Sequence, residues 1–169
     1  MSETAKSVYL VNPASDPVLV RIDGRANFQN SGSLRDFIAA MTAQGRRRFV
    51  IDFGGCVGMD STFLGVLAGA AIELRKCSAE GALVIVRVGQ RNLELMRNLG
   101  LHRILTIDAG EQKEALVKCD TPLAAKRCSE IESARQVLEA HENLVTADES
   151  NRAKFQDVLT FLRNRVEQG

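Results

Sequence analysis

The sequence predicts an α/β fold: a mixed sheet that starts antiparallel and continues parallel, helices mainly on one face, and a C-terminal helical extension. Three observations carry this. Two short apolar runs, residues 8–11 and 18–23, follow each other too closely for a helical crossover, so they start the sheet as a hairpin-like pair. After them strand-like runs alternate with helical periods, and a helix in each crossover makes the later strands parallel. Right-handed crossovers taken in one sense then set those helices on one side of the sheet. Past residue 128 the pattern changes to two amphipathic helical periods with no strand between them.

In order along the chain, the second strand ends at Gly24, and Arg25 to Phe28 make a polar loop in which Asn27 has the character of an ordinary turn or cap residue. Ser33 followed by Asp36 resembles a capping box, with Asp where Glu or Gln is usual. The helix it opens turns Leu34, Phe37, Ile38 and Met41 inward and ends near Gly45. Arg46, Arg47 and Arg48 form the strongest charge run, expected to be solvated and to complement that helix end.

Phe49 to Phe53 is a buried strand, followed by a loop that holds Gly54, Gly55 and Gly58. Asp60-Ser61 stands where a helix cap should stand, and Leu64, Leu67, Ala71 and Leu74 supply the buried face of the next helix. Ser61, Gly65 and Gly69 lie four apart on another face, which is bare of bulk. On spacing alone Ser61 is a helix cap. The alternative is a hydroxyl presented at the positive end of a helix, where a phosphate is tolerated, beside a patch another surface can approach closely.

Residues 82–88 make a strongly β-prone run; a short helix with Leu93, Leu95, Met96 and Leu99 follows, then a short strand near 104–107. A last helix of this unit is expected from Asp108 to about Lys118. Residues 6–118 thus form one domain, 119–128 a linker with Thr121-Pro122, and 129–167 the extension. Ser129 with Glu132 caps its first helix, expected to run to about Asn143, and Thr146 with Glu149 caps the second. Phe155, Val158, Leu159, Leu162 and Val166 form an apolar stripe. Such helices are not stable alone in water, so the stripes bury against the domain, against each other, or in a homodimer or partner complex.

Composition removes several function classes. A chain of 169 residues is enough for one ordinary domain with an extension, and 45% hydrophobic with 25% charged residues is globular, not disordered. A net charge of +1 gives no global field toward nucleic acid or membrane, and one Tyr with no Trp gives no base-stacking platform. No apolar run approaches membrane-spanning length and MSETAKS lacks a secretory core, so a cytoplasmic location is expected. Cys56, Cys77, Cys119 and Cys128 show no metal spacing and are expected as reduced thiols. His102 and His141 have no ligand set around them and are expected at the surface or partly packed.

Catalytic motifs fail as well. Gly58-Met59-Asp60-Ser61-Thr62 is not a nucleophile elbow, and no well-placed His base can be named. The glycine loop lacks the Lys and Ser/Thr of a triphosphate-binding loop. Neither an enzyme nor a cofactor is expected.

Asp60-Ser61-Thr62-Phe63-Leu64-Gly65, placed after a hydrophobic strand with Asp52 near its end, resembles the phosphoserine-site signature of STAS domains. These are the soluble anti-sigma-factor antagonists and the cytoplasmic domains of sulfate transporters. The resemblance covers about residues 6–118. It implies phosphorylation at Ser61, and a partner surface of Asp60, Ser61, Thr62, Phe63 and Gly65 with Asn27 from the neighbouring loop. Phe63 departs from the family, which commonly has Gly there, and sets a ring beside the acceptor; Thr62 is a rival acceptor. The implied function is a partner switch. The unmodified protein binds a kinase-like anti-sigma factor, phosphorylation by that kinase ends binding, and a phosphatase resets it. A constitutive subunit of a transporter or larger signalling assembly is the alternative, and a small-ligand binder using the glycine loop and Arg46 to Arg48 is a third.

Overall fold

The computed structural model describes residues 8–108, 119–124 and 127–168. Its strands are β1 (Tyr9–Asn12), β2 (Val18–Ala26), β3 (Arg48–Met59), β4 (Ala82–Val86), β5 (Thr106–Ile107) and β6 (Thr121–Pro122). They form one sheet in the order β5-β4-β3-β2-β1-β6. β1 is antiparallel to β2, while β2, β3, β4 and β5 run parallel, as the spacing of the apolar runs requires. The crossovers carry α1 (Ser31–Ala43), α2 (Ser61–Cys77) and α3 (Gln90–Asn98), the last followed by a 3-10 turn at Leu101–Arg103.

Alternation along the strands makes the core. Val18, Val20, Ile22, Phe49, Ile51, Phe53, Leu83 and Ile85 join Leu34, Ile38, Leu67 and Leu74 from the helices in one cluster. The intervening Leu19, Val50 and Val86 form a smaller buried cluster with Cys119. Central parallel strands apolar on both faces explain why these runs read as continuous rather than alternating.

Several boundaries differ from expectation. β3 continues through Gly54, Gly55 and Gly58 instead of opening into a loop, because β2 follows it with register shifts between Arg21 and Asp23 and between Gly24 and Arg25. Glycine serves close approach there: a Cβ on Gly55 would lie 2.8 Å from the Ile22 carbonyl oxygen. α1 starts two residues before Ser33, after Asn30, and the Ser33 hydroxyl donates back to the Asn30 carbonyl at 3.0 Å, so the expected capping box does not form. β4 stops at Val86 because Arg87 takes φ of 55°. The helix expected over 108–118 lies outside the described residues beyond Asp108. Thr121–Pro122, expected within a linker, pairs antiparallel with β1 as an edge strand, where a proline is tolerated.

The extension comprises α4 (Glu130–Ala147), α5 (Asn151–Lys154) and α6 (Gln156–Gln168). The Ser129 hydroxyl accepts from the Glu132 N–H at 3.2 Å, as the capping motif predicts. The second motif is not used: α4 runs through Thr146, whose hydroxyl donates to the Glu142 carbonyl, and the break falls at Asp148, which accepts from the Ser150 N–H at 3.0 Å. Asn151, fully buried, then donates to the carbonyls of Leu99 (2.9 Å) and Leu144 (2.8 Å), fastening the elbow to the end of α3. α4 packs along α2 and α6 along α4, with Leu144, Leu159 and Leu162 buried. The apolar stripe is therefore largely buried within the chain, against α4, although Val158 of that stripe and the neighbouring Phe161 face outward.

Candidate functional site

The site is built where β3 hands over to α2. Asp60, in extended conformation, is the helix cap: its Oδ1 accepts from the Phe63 N–H at 2.9 Å. Its Oδ2 accepts from the Phe28 N–H at 2.8 Å, so one carboxylate ties the loop after β2 to the start of the helix. Asn27 shapes that loop, its side-chain oxygen accepting from Gln29 at 3.0 Å and its carbonyl accepting from the Ser31 N–H at 2.9 Å.

With Asp60 capping, Ser61 is the first helical residue and its hydroxyl is released from that duty. It is half-buried, and its Oγ lies 2.9 Å from Nε2 of His141 on α4. Nδ1 of the same ring lies 2.7 Å from the Val137 carbonyl. A carbonyl only accepts, so Nδ1 carries the proton, and in the neutral ring Nε2 accepts from Ser61. His141 is only 3% exposed and sets its ring edge-on to Phe155, with centroids 5.0 Å apart. A histidine therefore does face Ser61, contrary to the sequence-based expectation for both residues. Only the fold brings positions 61 and 141 together, and no local spacing signals it.

The smooth face exists and is occupied. A Cβ on Gly65 would fall 2.5 Å from the carbonyl carbon of Ala140, and one on Gly69 would fall 3.0 Å from Cγ of Asn143. The Asn143 amide donates to the Gly65 carbonyl at 3.2 Å. The two glycines thus let α4 lie against α2 at backbone distance.

The other expected partner residues point elsewhere. Thr62 is 5% exposed and Phe63 is fully buried, its ring stacked on Tyr9 at 6.4 Å and edge-on to Phe53 at 6.0 Å. Phe63 thus fills the core rather than standing beside the acceptor, which explains why bulk is tolerated there. Two residues that sequence patterning passes over, Phe28 and Val57, are 55% and 72% exposed and come from loop and strand segments at this end of the sheet. A loop phenylalanine carries no periodic signal that would mark it as exposed.

Burial, and then the charges of Cys56 and Asp60, push the Tyr9 hydroxyl far above its ordinary range, so it stays neutral and donates to Asn30 at 2.7 Å. Burial likewise raises the Cys56 thiol, leaving little thiolate at neutral pH. Asp52 is fully buried and accepts from Arg87 Nε (2.8 Å), Arg87 Nη2 (2.5 Å) and the Gly54 N–H (2.8 Å). That hydrogen bonding, and then the opposite charge, hold the Arg87 guanidinium above its ordinary pKa.

Arg46 donates to the carbonyls of Pro13 and Ser15, and Arg47 to that of Thr42, so two of the three basic residues are spent on backbone. That weakens the small-ligand alternative. Among the described residues no group of His, Cys, Asp and Glu is arranged to hold a metal, and no helix is long and apolar enough to cross a membrane. A cleft of about 570 Å³ between α1, α2 and α4 is bordered by Ile38, Val66, Ala140 and Asn143, and Ser61 is not among its lining residues.

A family model described as "Mlab, STAS domain" matches residues 10–107, more than half of the chain. The chain belongs to the STAS domain family. Among solved structures this STAS domain is similar to the anti-sigma factor antagonist SpoIIAA in its unphosphorylated form, at 16% identity and a TM-score of 0.53 over 63% of this chain and 93% of that one. It is also similar to the Bacillus cell fate determinant SpoIIAA in the phosphorylated form, at 18% identity and a TM-score of 0.50 over 62% of this chain and 94% of that one. Both likenesses are of fold. No curated protein matches the chain.

Proposed function

We propose that this STAS domain is a protein-interaction module controlled by phosphorylation of Ser61, working in the manner of an anti-sigma-factor antagonist and without catalytic activity of its own. One observation carries it: Ser61 starts α2 with a half-buried hydroxyl that the cap does not use, because Asp60 does the capping. A protein of the same fold exists in unphosphorylated and phosphorylated forms. The partner is a kinase-like anti-sigma factor in the cytoplasm, and a phosphatase resets the site. Asn27, Asp60 and Ser61, with the exposed Phe28 and Val57, form the rim of the surface; Thr62 and Phe63 support it from beneath; Gly65 joins it only when α4 is away.

The mechanism follows from charge. A phosphoserine adds about −1.5 to −2 charges where a neutral hydroxyl stood. The helix N-terminus accommodates that charge, so the fold persists. The complex does not, because the phosphate must be desolvated and faces any acidic partner surface. Ser61→Ala and Ser61→Asp chains, used side by side to capture partners, should differ. The alanine chain retains a kinase-like ATPase and the aspartate chain loses it by about tenfold or more in affinity. Equal retention favours the second reading, a constitutive subunit of a transporter or larger assembly. That reading draws on Phe28 and Val57 remaining exposed while α4 is docked.

A further inference from the structure

We infer that α4 is an internal occupant of the Ser61 face, and that its docking and a phosphate on Ser61 exclude each other. The inference rests on the proposed modification of Ser61 and adds what that modification does to this chain before any partner is present.

Four contacts carry it, all between α2 and α4. The Ser61 Oγ lies 2.9 Å from His141 Nε2, and His141 Nδ1 is held by the Val137 carbonyl. Gly65 lies against the Ala140 backbone, Gly69 lies against the Asn143 amide, and that amide donates to the Gly65 carbonyl. A phosphoryl group on Ser61 adds its bulk to the oxygen that already touches the ring of His141. With Nε2 at 2.9 Å, the ring packed on Phe155 and the α4 backbone against the next turn of α2, the docked arrangement has no room for its phosphorus and three further oxygens. His141 has no free path to yield, being 3% exposed, packed on Phe155 and fixed to its own helix backbone.

The glycines remove any cushion, since the two helices already meet at backbone distance. Exclusion acts in both directions. While α4 is docked, the hydroxyl is engaged by His141 and its helix face is shielded, so an enzyme that modifies Ser61 must meet the opened form. An outside partner likewise has to displace α4, and to do so must offer what α4 offers: a small residue over Gly65, an amide over Gly69 and a hydrogen-bonding group opposite Ser61.

The test uses the full chain carrying synthetically installed phosphoserine at position 61, with Ser61→Asp as a second arm in which the charge sits on a shorter side chain. Hydrogen–deuterium exchange is followed over 137–147 and, as an internal reference, over β2 to β4. The expected result is exchange in α4 faster by about tenfold or more with phosphoserine, and faster to a lesser extent with aspartate, while the strands stay as protected as in the unmodified chain. Unchanged α4 protection in a folded phosphorylated chain overturns the inference. So does a rise in strand exchange that keeps step with α4, since the phosphate would then be unfolding the domain rather than releasing the extension. Because the phosphate is installed without a kinase, either outcome stands apart from whether a kinase-like partner exists.

Discussion

Valine in place of Gly65 is expected to lift α4 from α2. The new side chain would meet the carbonyl carbon and oxygen of Ala140, with its Cβ 2.5 Å from the carbon, and backbone atoms cannot rotate out of the way. One helix must shift, carrying the buried His141 and Leu144 with it. Valine is a slightly better helix residue than glycine, so a loss of stability reports the contact and not the intrinsic preference of α2. Overpacking of this kind costs about 1–3 kcal/mol, and the upper part of that range is expected because both partners are backbone. Urea denaturation should show a lowered midpoint. A wild-type midpoint would mean that the two helices are not held at this distance.

Replacing Arg87 by methionine should cost about 3 kcal/mol, because it leaves a carboxylate buried without its counter-charge. Asp52 is fully buried, whereas half of the Arg87 side chain is exposed, so the cost lies on the aspartate side of the pair. Asp52→Asn together with Arg87→Met should recover most of the loss, since an amide oxygen can still accept from the Gly54 N–H while no charge remains. A double-mutant cycle by urea denaturation measures this. If the double variant is as weak as Arg87→Met alone, the lost stability comes from the packing of Arg87 over Gly54 and not from the ion pair. The pair matters to the site because β3 carries Asp52 and, further along, delivers Asp60 to the cap of α2.

Much of this was legible in the chain. The close apolar runs gave the antiparallel start, and the alternation of strand and helix gave the parallel remainder. The buried face at Leu64, Leu67, Ala71 and Leu74 and the bare stripe at Ser61, Gly65 and Gly69 are both where helical spacing puts them. These are local properties, fixed by residues a few positions apart. What escaped is long-range. A glycine-rich segment has the same composition in a loop as in a bulged strand, and only the partner β2 decides between them. Asp60 and Ser61 are both good caps, and which one caps depends on the backbone conformation at Asp60. Phe63 turns inward because Tyr9 and Phe53 leave room for its ring, and that cavity cannot be read from position 63. Above all, periodicity revealed that the extension had an apolar stripe to bury, but not that its other residues would meet Ser61.

If Ser61 is the control point, phosphopeptide mapping of the protein taken from its native cell should find phosphate there. The tryptic peptide from Phe49 to Arg75 holds only two hydroxyl side chains, Ser61 and Thr62, and Thr62 is buried. Fragmentation between them assigns any phosphate without ambiguity. The expected result is a pool with phosphate on Ser61 beside an unmodified pool. Phosphate confined to Thr62 or to other peptides, or a peptide that stays unmodified whether or not the partner is bound, would contradict it.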